Sequence, residues 1–252
     1  MRLFFFILIF GGCSIHSYYS DSILNKIQKE KVLLLGTTGD YPPFSFKDKN
    51  GVFSGIDIEI AKALAAELSV ELKIYQTSWG TLAQDLADAH FDIALSGISK
   101  TESRMKIGFM TKGYMVNGKI AVSLCENKQR FNSLTKIDKS KTKLIVNPGG
   151  TNQSFVFKNI KKANVRVFDD NTKIFAEIIE GRADVMITDL VEALYQARKN
   201  TGKLCPTLEK PLTNEVITSF MPYDRNWNGF VSKWLERFRE TKGYREIVKS
   251  YL

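Results

Sequence analysis

Two acidic residues stand three positions apart where a predicted strand passes into a predicted helix. The apolar run 183–188 predicts a buried strand, and Asp189 and Glu192 follow it at the start of the helix expected over 190–199. At this spacing both carboxylates face one side of the helix. In a cleft that excludes water, such close like charges raise the pKa of one acid and keep it protonated near neutral pH. Glu192 is therefore either a proton donor or an exposed helical residue, and Asp189 is a candidate partner for a ligand ammonium.

A guanidinium and a hydroxyl-rich turn form a second candidate group, suited to binding a carboxylate. Ser96, Gly97 and Ser99 lie at the end of a predicted strand, and Arg104 follows five residues after Ser99. Hydroxyl and backbone N–H donors beside a guanidinium can hold both oxygens of a carboxylate. The alternative is that Arg104 is a solvated side chain.

A pair of glycines before a helix marks a third place where an anion can approach the backbone. The segment 147–152 has the sequence NPGGTN and lies between a predicted strand and a predicted helix. Glycine lets a ligand come close to the backbone, and N–H groups at a helix start attract anions. We expect Gly150 and Thr151 to contact the ligand, unless the segment is an ordinary strand–helix turn.

Composition and charge exclude several classes of function. His16 and His90 are the only histidines, which rules out a Ser-His-Asp triad and a histidine-based metal site. The net charge of +9 suits an anionic ligand, a nucleic acid or a membrane surface. Because lysine and arginine are spread along the chain without a basic block that carries aromatics, we expect no nucleic-acid partner.

The hydrophobic pattern predicts two α/β units that position these groups. In the first we predict helices at 56–68 and 81–89 and strands at 31–37, 70–75 and 91–96. In the second we predict helices from about 153, at 171–180 and at 190–199, and strands at 143–146, 165–168 and 183–188. This alternation implies mostly parallel sheets flanked by helices, with ligands at the carboxyl ends of the strands.

We expect the two units to form two lobes with a ligand cleft between them. Lobe one is expected to comprise 31–123 plus 217–252, and lobe two 124–216. Crossings near 122–125 and 216–219 would form a hinge whose closure excludes water. Apolar residues at helical spacing within 230–252 predict a C-terminal helix that packs on the core.

The first residues predict an export signal. Met1 and Arg2 precede an apolar run at 3–10, and small residues and Cys13 follow. Such a run is too short to span a bilayer, so 1–13 is expected to be a signal peptide. The ending predicts either lipidation of Cys13, which would anchor the protein to a membrane, or simple cleavage nearby. We expect a periplasmic protein in which 14–30 is a tether.

If Cys13 carries a lipid, Cys125 and Cys205 remain as a pair. In an oxidising compartment an even pair predicts one disulfide, and two buried thiols are the alternative. We expect the bridge to brace lobe two beside the hinge.

In order along the chain, these motifs resemble those of the amino-acid-type periplasmic solute-binding proteins. The matching parts are GTTGDYPPFSF at 36–46, the G-x-D at 55–57, FDIALSGISKTESR at 91–104, and Asp189. Within that family the chain is most similar to the cyclohexadienyl dehydratases, over about 31–252. The further matches are TSW at 77–79, NGK at 117–119, the segment 147–152, Glu192 and the cysteine pair.

The resemblance implies a type II periplasmic-binding-protein fold and a cofactor-free lyase. The implied reactions convert prephenate to phenylpyruvate and arogenate to phenylalanine, with loss of water and carbon dioxide. Because aromatisation of the ring drives them, no metal or electron sink is required. The implied roles are general acid for Glu192, active-site residues for Asn152 and Lys119, ring walls for Tyr41 and Trp79, and carboxylate ligand for Arg104.

The sequence does not decide between the two substrates, and one alternative function stays open. Lys106 and Lys173 stand where we expect other residues in the enzymes, and an extra lysine at the cleft edge would change the choice between prephenate and arogenate. The alternative is a non-catalytic amino-acid-binding protein of a transporter. Such a protein needs one acidic group for the ammonium, such as Asp189, but not a second one at Glu192. The oligomeric state is not indicated.

Overall fold

The computed structural model describes residues 22–252, so the predicted signal peptide and Cys13 lie outside the described residues. The helices are α1 (Ile23–Glu30), α2 (Ile56–Leu68), α3 (Leu82–Ala87), α4 (Glu102–Met105), α5 (Leu134–Ile137), α6 (Thr151–Asn159), α7 (Ile174–Ile179), α8 (Leu190–Lys199), α9 (Arg225–Arg239) and α10 (Lys242–Tyr251), with a 3-10 helix at Cys125–Arg130. Among residues 22–252, no helix has both the length and the apolarity needed to cross a bilayer.

The strands form two five-stranded sheets and two smaller ones. They are β1 (Val32–Thr37), β2 (Asp40–Tyr41), β3 (Ser45–Lys47), β4 (Phe53–Ser54), β5 (Glu71–Gln76), β6 (Ile93–Ala94), β7 (Phe109–Met110), β8 (Met115–Asn117), β9 (Lys119–Leu124), β10 (Lys143–Val146), β11 (Asn164–Val167), β12 (Val185–Asp189), β13 (Leu204–Pro206), β14 (Glu215–Ile217) and β15 (Phe220–Met221). The two large sheets are the cores of the two lobes, as the α/β pattern predicted.

Lobe one is built on a sheet in the order β5-β1-β6-β15-β7. β1 runs parallel to β5 and β6, so the loops that follow these three strands emerge at one edge of the sheet. Helix α2 covers this sheet because its apolar residues recur every three or four positions and therefore share one face. The buried residues on that face include Ile56, Ile60, Leu64 and Leu68.

Lobe two is built on a sheet in the order β11-β10-β12-β9-β13. β10 runs parallel to β11 and β12, and α6 and α8 begin at the carboxyl ends of β10 and β12. Val185, Met186 and Ile187 are fully buried in the core of this lobe. The central strand therefore carries its last residues, Thr188 and Asp189, to the edge that faces lobe one.

The first crossing between the lobes lies earlier than predicted, because β9 belongs to lobe two. This strand pairs antiparallel with β12, in register from Lys119 opposite Asp189 to Ser123 opposite Val185. The predicted boundary at 123/124 and the crossing near 122–125 were therefore wrong. The chain crosses instead at β8, which pairs with β14 in a two-stranded ribbon between the lobes.

The predicted tether was wrong over residues 23–30, which form helix α1. The hydroxyl of Ser22 accepts a hydrogen bond from the N–H of Leu24, which caps the helix. The N–H of Ile23 donates to Asp224 Oδ2 at 2.6 Å, and Ile27 is fully buried in the core of lobe one. Because most residues of this stretch are polar, its single apolar face is difficult to recognise in the sequence.

The C-terminal stretch forms two helices rather than one. α9 ends at Arg239, and the hydroxyl of Thr241 accepts a hydrogen bond from the N–H of Tyr244 to start α10. Trp234 and Leu235 are buried in lobe one, and Phe230 and Phe238 are partly buried against it. The prediction that the apolar residues of this stretch pack on the core is confirmed for these four.

The predicted disulfide between Cys125 and Cys205 is confirmed. Cys205 lies in β13 and pairs across the ladder with Ser123 of β9. Cys125 follows the end of β9 that is remote from Lys119, about 20 Å away at the rise of an extended strand. The bridge therefore braces the far side of lobe two, not the hinge as expected.

Candidate active site

Asp189 closes β12 and directly precedes α8, but its side chain does not cap that helix. Its Oδ1 accepts a hydrogen bond from Lys119 Nζ at 2.6 Å, and its Oδ2 accepts one from the Tyr41 hydroxyl at 2.6 Å. Asn117 Oδ1 instead accepts from the N–H of Val191 in the first turn of α8. Asp189 and Lys119 are almost fully buried, so water screens their ion pair little.

Lys119 is held from several directions. Besides Asp189, its ammonium donates to the hydroxyl of Thr151 at 2.8 Å and lies 3.5 Å from Glu215 Oε2. Its backbone N–H donates to the hydroxyl of Thr213 at 2.8 Å, and that hydroxyl donates to Glu215 Oε1 at 2.7 Å. The ammonium therefore makes two hydrogen bonds, to Asp189 and Thr151, and a longer ion pair with Glu215. The lysine is therefore fixed in position within lobe two.

Glu192 lies behind Thr188, one layer below the surface of the cleft. It is 1% exposed, and its carboxyl group accepts a hydrogen bond from the Thr188 hydroxyl. Burial raises the pKa of Glu192 well above its ordinary value, and the negative charge of Asp189 raises it further. The Thr188 hydrogen bond and the charge of Lys119 act in the opposite direction but are outweighed. The site therefore favours a protonated, neutral acid at this position.

The Thr188 hydroxyl connects this acid to the floor of the cleft. Asn152 Nδ2 donates to Thr188 Oγ1 at 3.1 Å and to Asn147 Oδ1 at 3.1 Å. The Tyr41 hydroxyl lies 3.4 Å from Thr188 Oγ1. Asn152 Oδ1 is buried and has no hydrogen-bond partner among the described residues. A buried amide oxygen without a partner is rare, and here it belongs to a residue that lines the cleft.

Arg104 of lobe one faces Asn152 and Asp189 of lobe two across the cleft. It lies in α4, and its Nη1 donates to the carbonyl of Ser99 at 2.8 Å. Burial lowers the pKa of Arg104 to about 10, while the negative charges of Asp189 and Glu215 oppose that shift. The guanidinium is therefore a cation at neutral pH with N–H groups left over for an anion.

The rest of the predicted carboxylate clamp is arranged differently from the expectation. The N–H of Gly97 donates to Asp57 Oδ2 at 2.6 Å, so it is not free for a ligand. The hydroxyl of Ser96 is bound to the N–H and the hydroxyl of Thr38. The hydroxyl of Ser99 is buried without a hydrogen-bond partner among the described residues. Arg104 is thus the principal donor of this group that remains available.

Both lobes line one small cavity. Its walls are Tyr41, Trp79, Gly97 and Arg104 from lobe one and Asn147, Gly150, Thr151, Asn152 and Asp189 from lobe two. The rings of Tyr41 and Trp79 meet edge to face with centroids 5.3 Å apart. The room for the centre of a water molecule is about 10 Å³, which is about what one water needs. The lobes are therefore closed, and a ring-sized ligand requires them to open.

Most of the predicted site residues meet at this cavity, and the others lie close behind it. Of the predicted set, those that do not line the cavity are Glu192, Lys119, Ser96 and Ser99. Lys106 and Lys173 are exposed and do not line it either; Lys173 pairs with Asp170 at 2.7 Å. The sequence gives no reason to expect Glu215 beside Lys119, because the two are far apart along the chain. Thr188, Asn147 and Asp57 lay within the motifs described above, but their contacts were not predicted.

Comparison with known proteins agrees with this architecture. The family model of the bacterial extracellular solute-binding proteins, family 3, matches residues 33–252. The chain is 36% identical over 232 residues to the cyclohexadienyl dehydratase of Pseudomonas aeruginosa, covering 92% of this chain and 87% of that protein. The chain is thus a homologue of that lyase.

Two solved structures of reconstructed ancestral proteins are similar to the chain. One is an ancestral amino acid-binding protein, a precursor of cyclohexadienyl dehydratase, with a TM-score of 0.84 and 32% identity over 91% of this chain and 99% of that one. The other is an ancestral cyclohexadienyl dehydratase, with a TM-score of 0.58 and 38% identity over 94% of this chain and 98% of that one. Sequence identity is higher to the enzyme, whereas the overall superposition is closer to the binding protein.

Proposed function

The chain belongs to the bacterial extracellular solute-binding proteins, family 3, and from that premise we propose that it acts as a cyclohexadienyl dehydratase. The proposed reactions convert prephenate to phenylpyruvate and arogenate to phenylalanine. One observation carries the proposal beyond the homology. A buried glutamic acid, Glu192, lies behind Thr188 directly below the surface of the cleft, in an environment that favours its neutral form.

The proposed reaction needs a proton at the oxygen that leaves the ring. Hydroxide is a poor leaving group, and general acid catalysis of its departure contributes about 10²–10⁴-fold in rate. Glu192 gives its proton to the ring hydroxyl, which leaves as water. At the same time the ring carboxylate leaves as carbon dioxide, and the electrons of its C–C bond complete the aromatic ring. Glu192 then regains a proton from solvent.

In the proposed complex, one carboxylate of prephenate lies against lobe one and the other against lobe two, each near cationic or polar groups. Arg104 of lobe one binds the carboxylate of the side chain. The ring carboxylate lies near Asn152 and Lys119 of lobe two, where exclusion of water favours its conversion to a neutral gas. Tyr41 and Trp79 provide flat walls for the ring. The closed cavity is too small for a ring-sized substrate, so this arrangement requires the lobes to open and to close again around the substrate.

The geometry at Asp189 favours this enzyme over a plain amino-acid binder. A binder uses an aspartate at this position to pair with the ammonium of its ligand. Here both oxygens of Asp189 are already bound, one by Lys119 and one by Tyr41. A ligand ammonium would have to share Asp189 with Lys119 and Tyr41, which makes binding of an amino acid, and of arogenate with its ammonium group, less favourable than binding of prephenate.

A turnover assay tests the proposal. The purified protein is incubated with prephenate, and phenylpyruvate is followed by its absorbance. We expect product well above the slow spontaneous rate, and in parallel weak or no binding of amino acids by calorimetry. Folded protein that forms no product but binds an amino acid with micromolar affinity would show that the chain is a binding protein.

Family membership supports an extracellular or periplasmic location, and the disulfide fits such an oxidising compartment. We further propose that a lipid on Cys13, which lies outside the described residues, anchors it to a membrane. Mass spectrometry of the mature N-terminus tests this: a diacylated cysteine supports the anchor, and an unmodified N-terminus after Cys13 contradicts it.

A further inference from the structure

Asp57 is a buried carboxylate that the proposed reaction does not use. It is the second residue of α2 and is fully buried. Its Oδ2 accepts a hydrogen bond from the N–H of Gly97 at 2.6 Å, and its Oδ1 accepts one from the hydroxyl of Tyr114 at 2.6 Å. Within residues 22–252, no lysine, arginine or histidine forms an ion pair with it. Its two hydrogen bonds therefore come from two separate segments of the chain rather than from a cation.

The first of these segments is a wall of the cleft. Gly97 lines the cavity and has a φ of +68°, a conformation that favours glycine. A Cβ atom at this position would lie 2.5 Å from Phe44 Cδ2 and 2.9 Å from Tyr41 Cδ1. Because the backbone of Gly97 is packed this closely against the ring of Tyr41, a shift of its peptide changes the wall that meets the ligand.

The second segment is the hinge. Tyr114 directly precedes β8, and its N–H donates to the carbonyl of Ile217, the last residue of β14, at 2.8 Å. Its carbonyl accepts a hydrogen bond from the hydroxyl of Tyr244 at 2.7 Å. Tyr114 therefore lies where both crossing strands leave lobe one.

We propose that Asp57 is a positioning residue that joins the Gly97 wall of the cleft to the hinge at Tyr114, so that the shape of the binding site and the closure of the lobes are set together. The consequence for catalysis rests on the proposed dehydratase function. The link between wall and hinge does not rest on that function, because it is a property of lobe one whatever ligand the protein binds.

The ionisation of Asp57 supports this assignment. Burial raises the pKa of Asp57 to about 7, against the opposing effect of its hydrogen bonds with Tyr114 and Gly97. The titratable groups that face it are Tyr114 and Tyr244, whose pKa values are raised by burial, to about 12 for Tyr244, so both stay neutral. Because the folded-state pKa lies above the unfolded value of 3.8, stability falls as the pH rises from about 4 through about 7. Ionisation of Asp57 also strengthens both hydrogen bonds of the link, since bonds to a charged acceptor are stronger.

The substitution Asp57→Asn tests the proposal because it keeps the shape of the side chain but removes the charge. At pH 8 we expect the KM for prephenate to rise about five- to tenfold, with kcat within about twofold, because hydrogen bonds to charged groups are stronger than neutral ones. We also expect faster amide hydrogen exchange in segments 96–99 and 114–117. The melting temperature at pH 8 should be unchanged or higher, because the buried charge costs stability, so the rise in KM would not come from loss of folded protein. Tyr114→Phe, which breaks the hinge bond alone, should speed exchange at 114–117.

Asp92→Asn is the matched control. Asp92 is also buried in lobe one and accepts from the N–H of Leu34 and from Lys26, away from the cleft. We expect it to lower the melting temperature and leave KM unchanged. Wild-type exchange in both segments and a wild-type KM in Asp57→Asn would overturn the proposal. If the wild-type protein does not turn over prephenate, the dehydratase function fails, while the exchange comparison still decides the role of Asp57.

Discussion

The phenolic oxygen of Tyr41 in lobe one lies 2.6 Å from Oδ2 of Asp189 in lobe two. Burial and the nearby negative charges raise the pKa of Tyr41 well above its ordinary value, so the hydroxyl remains a donor. Because the two residues belong to different lobes, this hydrogen bond requires the closed cleft. The same carboxylate of Asp189 also binds Lys119, so closure of the lobes is linked to the position of that lysine.

Removing this hydroxyl should weaken catalysis by loosening closure. For Tyr41→Phe we expect kcat/KM for prephenate to fall about tenfold, since a hydrogen bond to a charged group contributes about 1.5–3 kcal/mol. Tyr75→Phe is the control, because the Tyr75 hydroxyl contacts His90 on the surface of lobe one. Equal kinetics in the two variants would argue against a role for the inter-lobe bond.

Replacing the proposed acid should abolish turnover without unfolding the protein. For Glu192→Gln we expect kcat to fall by about 10²–10⁴, while the affinity for the product phenylpyruvate, measured by calorimetry, is retained. Glu209→Gln changes an exposed glutamate of the same lobe and should leave both quantities unchanged. Full activity in Glu192→Gln would eliminate this residue as the acid.

The raised pKa of Glu192 predicts how rate and stability depend on pH. Turnover needs the protonated acid, so kcat should be level at low pH and fall about tenfold per pH unit above the raised pKa. The native state retains a proton that the unfolded chain loses, so stability should also decrease as pH rises from about 4.5 through that pKa.

Variants of Thr188 test whether Glu192 causes this pH dependence of kcat. Its hydrogen bond lowers the pKa of Glu192, so Thr188→Val should move the alkaline limb of the kcat profile to higher pH. Thr188→Ser keeps the hydroxyl and should leave the limb in place. If both variants keep the wild-type profile, Glu192 does not set the limb.

The buried ion pair of Lys119 and Asp189 should be sensitive to loss of one partner. Lys119→Met leaves Asp189 buried without its cation, and we expect a loss of about 3–5 kcal/mol in the free energy of unfolding, measured with urea. The double variant with Asp189→Asn should lose less than the sum of the two single variants. Lys173→Met, which breaks an exposed pair with Asp170, should have little effect.

The disulfide should affect stability but not catalysis. Cys125 and Cys205 are 80 positions apart, and closing a loop of that size stabilises a fold by about 4 kcal/mol in the chain-entropy model. Replacing both by alanine should lower the urea midpoint by a corresponding amount. Because the bridge lies about 20 Å from Lys119 along β9, kcat should not change. A large loss of kcat in folded protein would show that the far side of lobe two controls the cleft.

The sequence alone determined the elements whose signals are local. The limits predicted for α2, β10 and α8 coincide with Ile56–Leu68, Lys143–Val146 and Leu190–Lys199. Each has a clear apolar period and a glycine, an aspartate or a change to polar residues at its ends. The motifs at 96–104, 147–152 and 188–192 also lie at strand ends, as their order along the chain predicted, because parallel strands bring their carboxyl ends to one edge.

The partners of these residues depend on contacts between distant parts of the chain. No strand was predicted over β9, and its place in lobe two is set by pairing with β12, more than 60 positions away. Likewise, the neutral state of Glu192, the two donors on Asp189 and the link through Asp57 depend on side chains distant along the chain. Periodicity reports the local environment of a residue, whereas burial and charge pairing, which set its pKa and its chemistry, arise only when the chain folds.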